Sequence, residues 1–125
     1  MINDSPHPEV SRSIIGCAMS VLNVLKPGLD EKLHENALVL ELSASGHLIE
    51  QQRPFPVNYK GTHIGTLVPD LIVDGKVIVD TKVIVDFNES HAAQMLGYLN
   101  ITGMSLGLLL NFKYARIGIK RMARS

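Results

Sequence analysis

The sequence predicts an α/β domain, a mixed β-sheet flanked by helices, and three observations predict it. Apolar residues recur at steps of three and four over residues 8–25, as in a helix that buries one face. Short β-branched runs punctuated by turn residues fill 47–84. A further helical stretch then leads into residues 105–112, where Leu106, Leu108, Leu109 and Leu110 make a strand apolar on both faces. The 125 residues are one domain's worth, spanning 1–125, and 46% hydrophobic against 19% charged residues is the balance of a folded chain.

In chain order, the first helix (8–25) has its stripe at Val10, Ile14, Cys17, Ala18, Val21 and Leu25, with Arg12, Gly16, Ser20 and Asn23 opposite, and Pro27-Gly28 breaks it. The second (30–45) starts at a cap at or beside Asp30 and ends at Gly46. Its expected core stripe is Leu33, Ala37, Leu40 and Ala44, which leaves Glu31, His34 and Glu35 on another face. Strands are expected at 47–52, 55–59 and 62–67, the last two joined at Lys60-Gly61. Two more, 68–73 and 76–84, flank Asp74-Gly75, the strongest hairpin signal in the chain. A third helix (91–101), capped by Asn88 or Ser90, turns Met95, Leu96 and Leu99 to the core. The strand 105–112 follows, and 115–122 finishes the sheet or its edge.

Several classes of function are excluded. A single cysteine, Cys17, allows no internal disulfide and no Cys-rich zinc site, and fits a reducing compartment. The five histidines show no zinc-ligand spacing, and there is no Gly-rich phosphate loop or Gly-x-Ser-x-Gly elbow. Uninterrupted apolar stretches reach only about five residues, far below the roughly 18 needed for a membrane span. Residues 1–9 carry Asp4 and Glu9 and no basic segment, unlike a signal peptide, so the expected location is cytoplasmic. Net charge is zero, with 12 basic and 12 acidic residues, but it is unevenly spread. Residues 112–125 hold five bases and no acid, which leaves seven bases against twelve acids elsewhere. A basic end beside an acidic body could hold a phosphate backbone near carboxylates, or could simply be a solvated strand.

The chemistry concentrates in Val77-Ile78-Val79-Asp80-Thr81-Lys82-Val83-Ile84, where two charged residues interrupt an apolar strand. Asp80 and Lys82 are two apart and share a side of the sheet. Burying them is costly unless they pair, bind metal or act. Pro69-Asp70 brings another carboxylate to a similar level. Two carboxylates and a backbone carbonyl, that of Thr81, can hold Mg²⁺ (or Mn²⁺) through oxygen ligands. Such an ion polarises a phosphate and acidifies water, while an ammonium orients that water or offsets developing charge. A strict two-residue Asp74-Gly75 turn would set Asp70 opposite Val79, on the far side from Asp80. A shared site therefore requires an odd loop, a β-bulge or a sharp twist near Pro69. Gln94 and Tyr98, four apart on the third helix, present an amide and a hydroxyl on one face.

On these residues the sequence resembles the GxxExxY proteins, a branch of the PD-(D/E)xK nuclease superfamily, from about Glu9 to Met122. The name motif falls on Gly28-Leu29-Asp30-Glu31-Lys32-Leu33-His34 after Lys26-Pro27. The nuclease motif falls on Asp70 and Asp80-Thr81-Lys82, and Gln-x-x-x-Tyr on Gln94 and Tyr98. The segment 107–112 matches the penultimate strand and Ile119-Lys120-Arg121 the ending. The resemblance implies a restriction-endonuclease-like core, with Asp70, Asp80, Lys82 and Glu31 catalytic, and Asp70, Asp80, Thr81 and Glu31 around the metal. Gln94, Tyr98, His34, Lys120 and Arg121 become the candidates for contacting substrate. His34 stands where the family has Tyr, Ala92 where Glu is usual, and Asp80 where Glu is commoner. The leading expectation is a Mg²⁺- or Mn²⁺-dependent nuclease acting on DNA, as a possible homodimer. The alternatives are a non-catalytic nucleic-acid or protein-interaction module that keeps the fold, and a structural domain in which Asp80 and Lys82 form a salt bridge.

Overall fold

The structure, a computed structural model, describes residues 6–124. The reading of residues 1–9 as unlike a leader falls largely outside the described residues. Helices α1 (Pro8–Leu25) and α2 (Glu31–Ala44) precede β1 (Ile49–Gln51), β2 (Phe55–Tyr59), β3 (Thr62–Leu67), β4 (Leu71–Val73) and β5 (Val77–Lys82). Helix α3 (Glu89–Thr102) then connects to β6 (Leu106–Asn111) and β7 (Gly118–Ala123). The main sheet runs β1-β4-β5-β6-β7, with β5 and β6 parallel and the other neighbours antiparallel. Strands β2 and β3 form a separate hairpin. No helix among the described residues is long and apolar enough to cross a membrane.

Alternation along the strands divides the core into two layers. Leu71, Val73, Val77, Val79, Leu106, Leu108 and Leu110 pack with Ile14, Ala18, Val21, Leu22, Leu38 and Leu42 of α1 and α2. Ile72, Ile78 and Leu109 face the other way, onto Met95 and Leu99 of α3. Gly107 allows that close packing, because a Cβ there would collide with the Met95 side chain. The mixed, helix-flanked sheet is the architecture expected, and α3 is the crossover that a parallel β5–β6 pair requires.

Two expected core faces are corrected. In α2 the buried residues are His34, Glu35, Leu38 and Leu42, while Leu33 is exposed, Ala44 is exposed and Leu40 is 73% exposed. The leucines at 33 and 40 draw the stripe one residue out of phase, because two inward positions of the first turns are polar. In α3, Leu96 turns to solvent and Met95 and Leu99 alone are fully buried. Helix starts follow local chemistry more closely. Asn88 caps α3 in a reciprocal pair, its side chain accepting from His91 N–H at 3.1 Å and its own N–H donating to His91 Nδ1 at 3.0 Å. Asp30 occupies the cap position of α2, but its side chain makes no capping bond.

Candidate active site

The β4–β5 connection decides where the carboxylates meet. Asp74 and Gly75 both adopt positive φ (55° and 64°), as a tight hairpin turn demands, and Lys76 N–H closes on Val73 O at 2.9 Å. The ladder nevertheless resumes with Val73 opposite Val77, Ile72 opposite Ile78 and Leu71 opposite Val79. Lys76 is therefore one extra residue, and this odd connection shifts the register so that Asp70 comes level with Asp80. Asp70 N–H donates to Asp80 Oδ1 at 3.2 Å, and Asp70 Oδ2 accepts from Thr81 N–H at 3.0 Å and Thr81 Oγ1 at 3.3 Å.

The pair lies in the interior of the sheet, since β5 is the third of five strands. Asp80 retains only 3% exposure. Burial, reinforced by the Asp70 charge, pushes its carboxyl from the ordinary 3.8 up to about 6, against the opposing Asp70 N–H and Lys82 ammonium. Burial also raises Asp70, with Glu35 adding to the rise and bonds from Thr81 and Gln52 opposing it. Lys82 Nζ stands 3.9 Å from Asp80 Oδ2. Lys82, at the end of a central strand, is thus only loosely paired with Asp80.

Helix α2 delivers Glu31 to the same end, where its Oε1 accepts from Val83 N–H at 3.2 Å. Burial raises its carboxyl, Lys82 opposes this, and the charges of Asp70 and Glu35 add to it. Beyond β5, Asn111 fixes the chain by accepting from Ile84 N–H at 3.1 Å and donating to Ile84 O at 2.8 Å. Tyr98, half-buried on α3, has its hydroxyl raised by burial and then by the charges of Asp80 and Asp70, so it borders the carboxylates. Gln94, one turn earlier, is exposed and lines a groove with Tyr98.

Other candidates are not brought together. His34 is 0% exposed, stacked on Phe112 at 4.8 Å, with neither ring nitrogen hydrogen-bonded. It is a packing residue under the site and cannot touch substrate there. Arg121 is paired with Leu108, on the opposite face from Asp80, and donates to Ser11 Oγ at 3.4 Å. Lys120 is on the Asp80 face, since Asp80, Leu109 and Lys120 align across the sheet, but two strands away, roughly 10 Å. Arg124 is engaged at the end of α3, donating to Gly103 O and Met104 O. Arg121 and Arg124 of the basic tail are therefore engaged away from the carboxylates.

Two participants escape the motif reading. Glu35, 3% exposed, accepts from Lys32 Nζ at 3.1 Å, Gln51 Nε2 at 2.8 Å and Gln52 Nε2 at 3.0 Å. Gln52 also approaches Asp70 Oδ1 at 3.4 Å, and its own N–H donates to Asp70 O at 2.9 Å. It adopts the left-handed φ of 56°, which a glutamine seldom does. Glu35 is one turn after Glu31, a spacing that signals a shared face. Nothing in the sequence marks Gln52.

Among the described residues no group of three or more His, Cys, Asp or Glu side chains is set to hold a metal by itself. The donor chemistry still fits a hard divalent cation. Asp70 and Asp80 are adjacent oxygen donors whose carboxyls are both raised, first by lost solvent and then by a neighbouring carboxylate, Glu35 for Asp70 and Asp70 for Asp80, which a cation would relieve. Waters and a phosphate complete such a shell when only two carboxylates and a carbonyl come from the protein.

The sequence profile of the PD-(D/E)XK nuclease superfamily matches residues 8–122, and the chain belongs to that superfamily. Its members generally use divalent metals. Among solved structures, the chain is similar to an alkaline exonuclease, LHK-Exo, from Laribacter hongkongensis, at 11% identity and a TM-score of 0.50 over 86% of this chain and 76% of that one. The same enzyme in complex with dAMP matches at 10% identity and a TM-score of 0.50, over 92% and 83% of the two chains. At these identities the likeness is one of fold. No curated protein matches the chain.

Proposed function

We propose that this chain, in the GxxExxY branch of its superfamily, is a Mg²⁺- or Mn²⁺-dependent nuclease that hydrolyses phosphodiester bonds of DNA. The observation that carries this reading is the juxtaposition of Asp70, immediately before β4, with Asp80 on the neighbouring β5, with Lys82 on the Asp80 side of the sheet. The Gly28-to-Glu31 half of the branch motif supports it, since Glu31 reaches the end of β5.

Asp70, Asp80 and the Thr81 carbonyl would hold the cation, with Glu31 beside them. Such an ion supplies Lewis-acid polarisation of the scissile phosphate and acidifies water. Lys82 orients the attacking water and offsets charge that builds on the phosphate oxygens. Thr81 N–H and Oγ1 fix one oxygen of Asp70, leaving the other toward Gln52. Gln52 holds Asp70 from the α2 side and is itself held by Glu35. Tyr98 places a neutral hydroxyl donor at the margin of the site.

The test is cleavage of labelled single- and double-stranded DNA and RNA with Mg²⁺, Mn²⁺ or EDTA, with Asp80→Ala alongside. Metal-dependent cleavage of DNA that Asp80→Ala abolishes is expected. Cleavage that survives EDTA or the substitution would overturn the reading.

A further inference from the structure

Between the β2–β3 hairpin and α3 runs a groove of about 370 Å³. Val57, Thr66 and Val68 form the hairpin wall, and Gln94, Gly97 and Tyr98 the helix wall. It lies beside the carboxylates: Val68, in its lining, is two residues before Asp70, and Tyr98 lines it while feeling the charges of Asp80 and Asp70. The walls are largely apolar, with a phenol ring for stacking and an exposed amide at Gln94 that offers both a donor and an acceptor. Residues 53–68 contain Arg53, Lys60 and His63 and no acid, so the hairpin beside the groove suits a polyanion. Arg53 is shared with Glu50 at 3.1 Å, and Lys60 lies over the ring of the exposed Tyr59.

Gly97 is the most telling residue. It lies inside α3, where glycine weakens a helix relative to alanine, yet no atom lies within 4 Å of where its Cβ would sit. The missing side chain relieves no packing and instead leaves room in the groove.

The geometry points to a subsite for one unpaired nucleobase of the strand being cut, stacked beside Tyr98 and read at its edge by Gln94. The inference rests on the nuclease reading and names its substrate class, because a base paired and stacked in a duplex cannot enter. Single strands and frayed ends are the substrates that can supply such a base.

The experiment is anisotropy of a short fluorescein-labelled DNA strand in EDTA, with the same strand carrying abasic residues and the matching blunt duplex as comparisons. Wild type should favour the intact single strand, and removing bases should weaken binding roughly tenfold or more, as loss of base stacking does. Gly97→Leu should melt at or above wild type, since leucine is the better helix former, yet bind the intact strand about as weakly as wild type binds the abasic one. Wild-type affinity in a folded Gly97→Leu protein, indifference to base removal, no preference for the single strand, or no binding at all would each overturn the subsite. Should Gly97→Leu fail to fold, the abasic comparison on wild type decides. Adding Mg²⁺ to the same samples separates the two readings: binding as expected without cleavage sinks the nuclease reading and leaves the base subsite standing.

Discussion

At the turn end of the β4–β5 hairpin Asp74 sits among donors, whereas at the open end Asp70 and Asp80 sit against each other. Asp74 Oδ2 lies 2.7 Å from His47 Nδ1, and its Oδ1 accepts from Leu48 N–H at 2.8 Å. Burial is the largest single influence and pushes its carboxyl up, but the bonds from His47 and Leu48 and the charges of His47 and Lys76 together outweigh it and hold the carboxyl below the usual range. Asp80, six residues later, is driven the opposite way by burial and a like charge. A carboxylate that serves architecture is supplied with partners by the fold. One left crowded, buried and short of positive charge marks a place where a ligand completes the balance.

The turn end also shows why hydrogen-bond order alone does not define chemistry. Ser13 Oγ, His47 Nε2, His47 Nδ1 and Asp74 form a row with links of 2.7 Å, as in a nucleophile, base and orienter. Ser13, however, lies well inside α1, where backbone N–H groups are engaged along the helix and none is left to stabilise an oxyanion. The row ties α1, the segment after α2 and the hairpin turn together.

The largest difference between the two ends should appear on neutralising one aspartate at each. Asp80→Asn should lower cleavage on the order of 10³-fold and remove the metal-dependent rise in melting temperature. Asp74→Asn should leave both nearly unchanged, as measured by initial rates and by melting with and without Mg²⁺.

Next comes the pH dependence of stability without metal. Asp80 has a folded pKa of about 6 against 3.8 ordinarily, so the folded state holds more protons between those values. Its contribution is fully present below about pH 4 and is lost as pH rises through about 6, by at most about 3 kcal/mol at 1.36 kcal/mol per unit. Asp70 and Glu31, also raised, act in the same direction, whereas the buried His34, held below its ordinary value by burial, opposes them as pH falls. Asp74, held low, acts oppositely and only at more acid pH, where protonation through its lowered pKa loses stability. Urea melts at pH 4.5 and 7 should therefore favour the lower pH for wild type, with the gap narrowed in Asp80→Asn.

A smaller effect is expected at the turn, where His47→Ala removes the links to both Ser13 and Asp74. Stability should fall by about 1–3 kcal/mol, with the cleavage rate of the folded fraction unchanged. Smallest of all, Gln52→Ala should lower cleavage several-fold at unchanged melting temperature, through a less well-held Asp70. An unchanged rate would show that Thr81 alone positions that carboxylate.

Periodicity, turn chemistry and the run 105–112 made the layers legible from the sequence, and the Asp74-Gly75 signal located the hairpin. The register followed only by argument: a shared site needed an odd connection, and the extra Lys76 supplies it. The inward face of α2 was not legible, because a helix passing over a polar site buries Glu35 and a stacked His34 where periodicity looks for leucine. Arg121 misleads for a similar reason, as its side of the sheet depends on pairing with β6, which no local pattern encodes. Gln52 was invisible because its role comes from a backbone turn that brings it beside Asp70.

The claim that the open end of this hairpin is catalytic is tested most directly at Lys82, by pairing initial DNA cleavage rate at saturating Mg²⁺ with the Mg²⁺-dependent melting shift. Lys82→Ala should fold, keep or enlarge that shift because a positive charge beside the cation is gone, and cleave 10²- to 10⁴-fold more slowly, in the range of about 10²–10⁴ for a lost proton-transfer or charge-stabilising group. A folded Lys82→Ala protein that cleaves at the wild-type rate would contradict it.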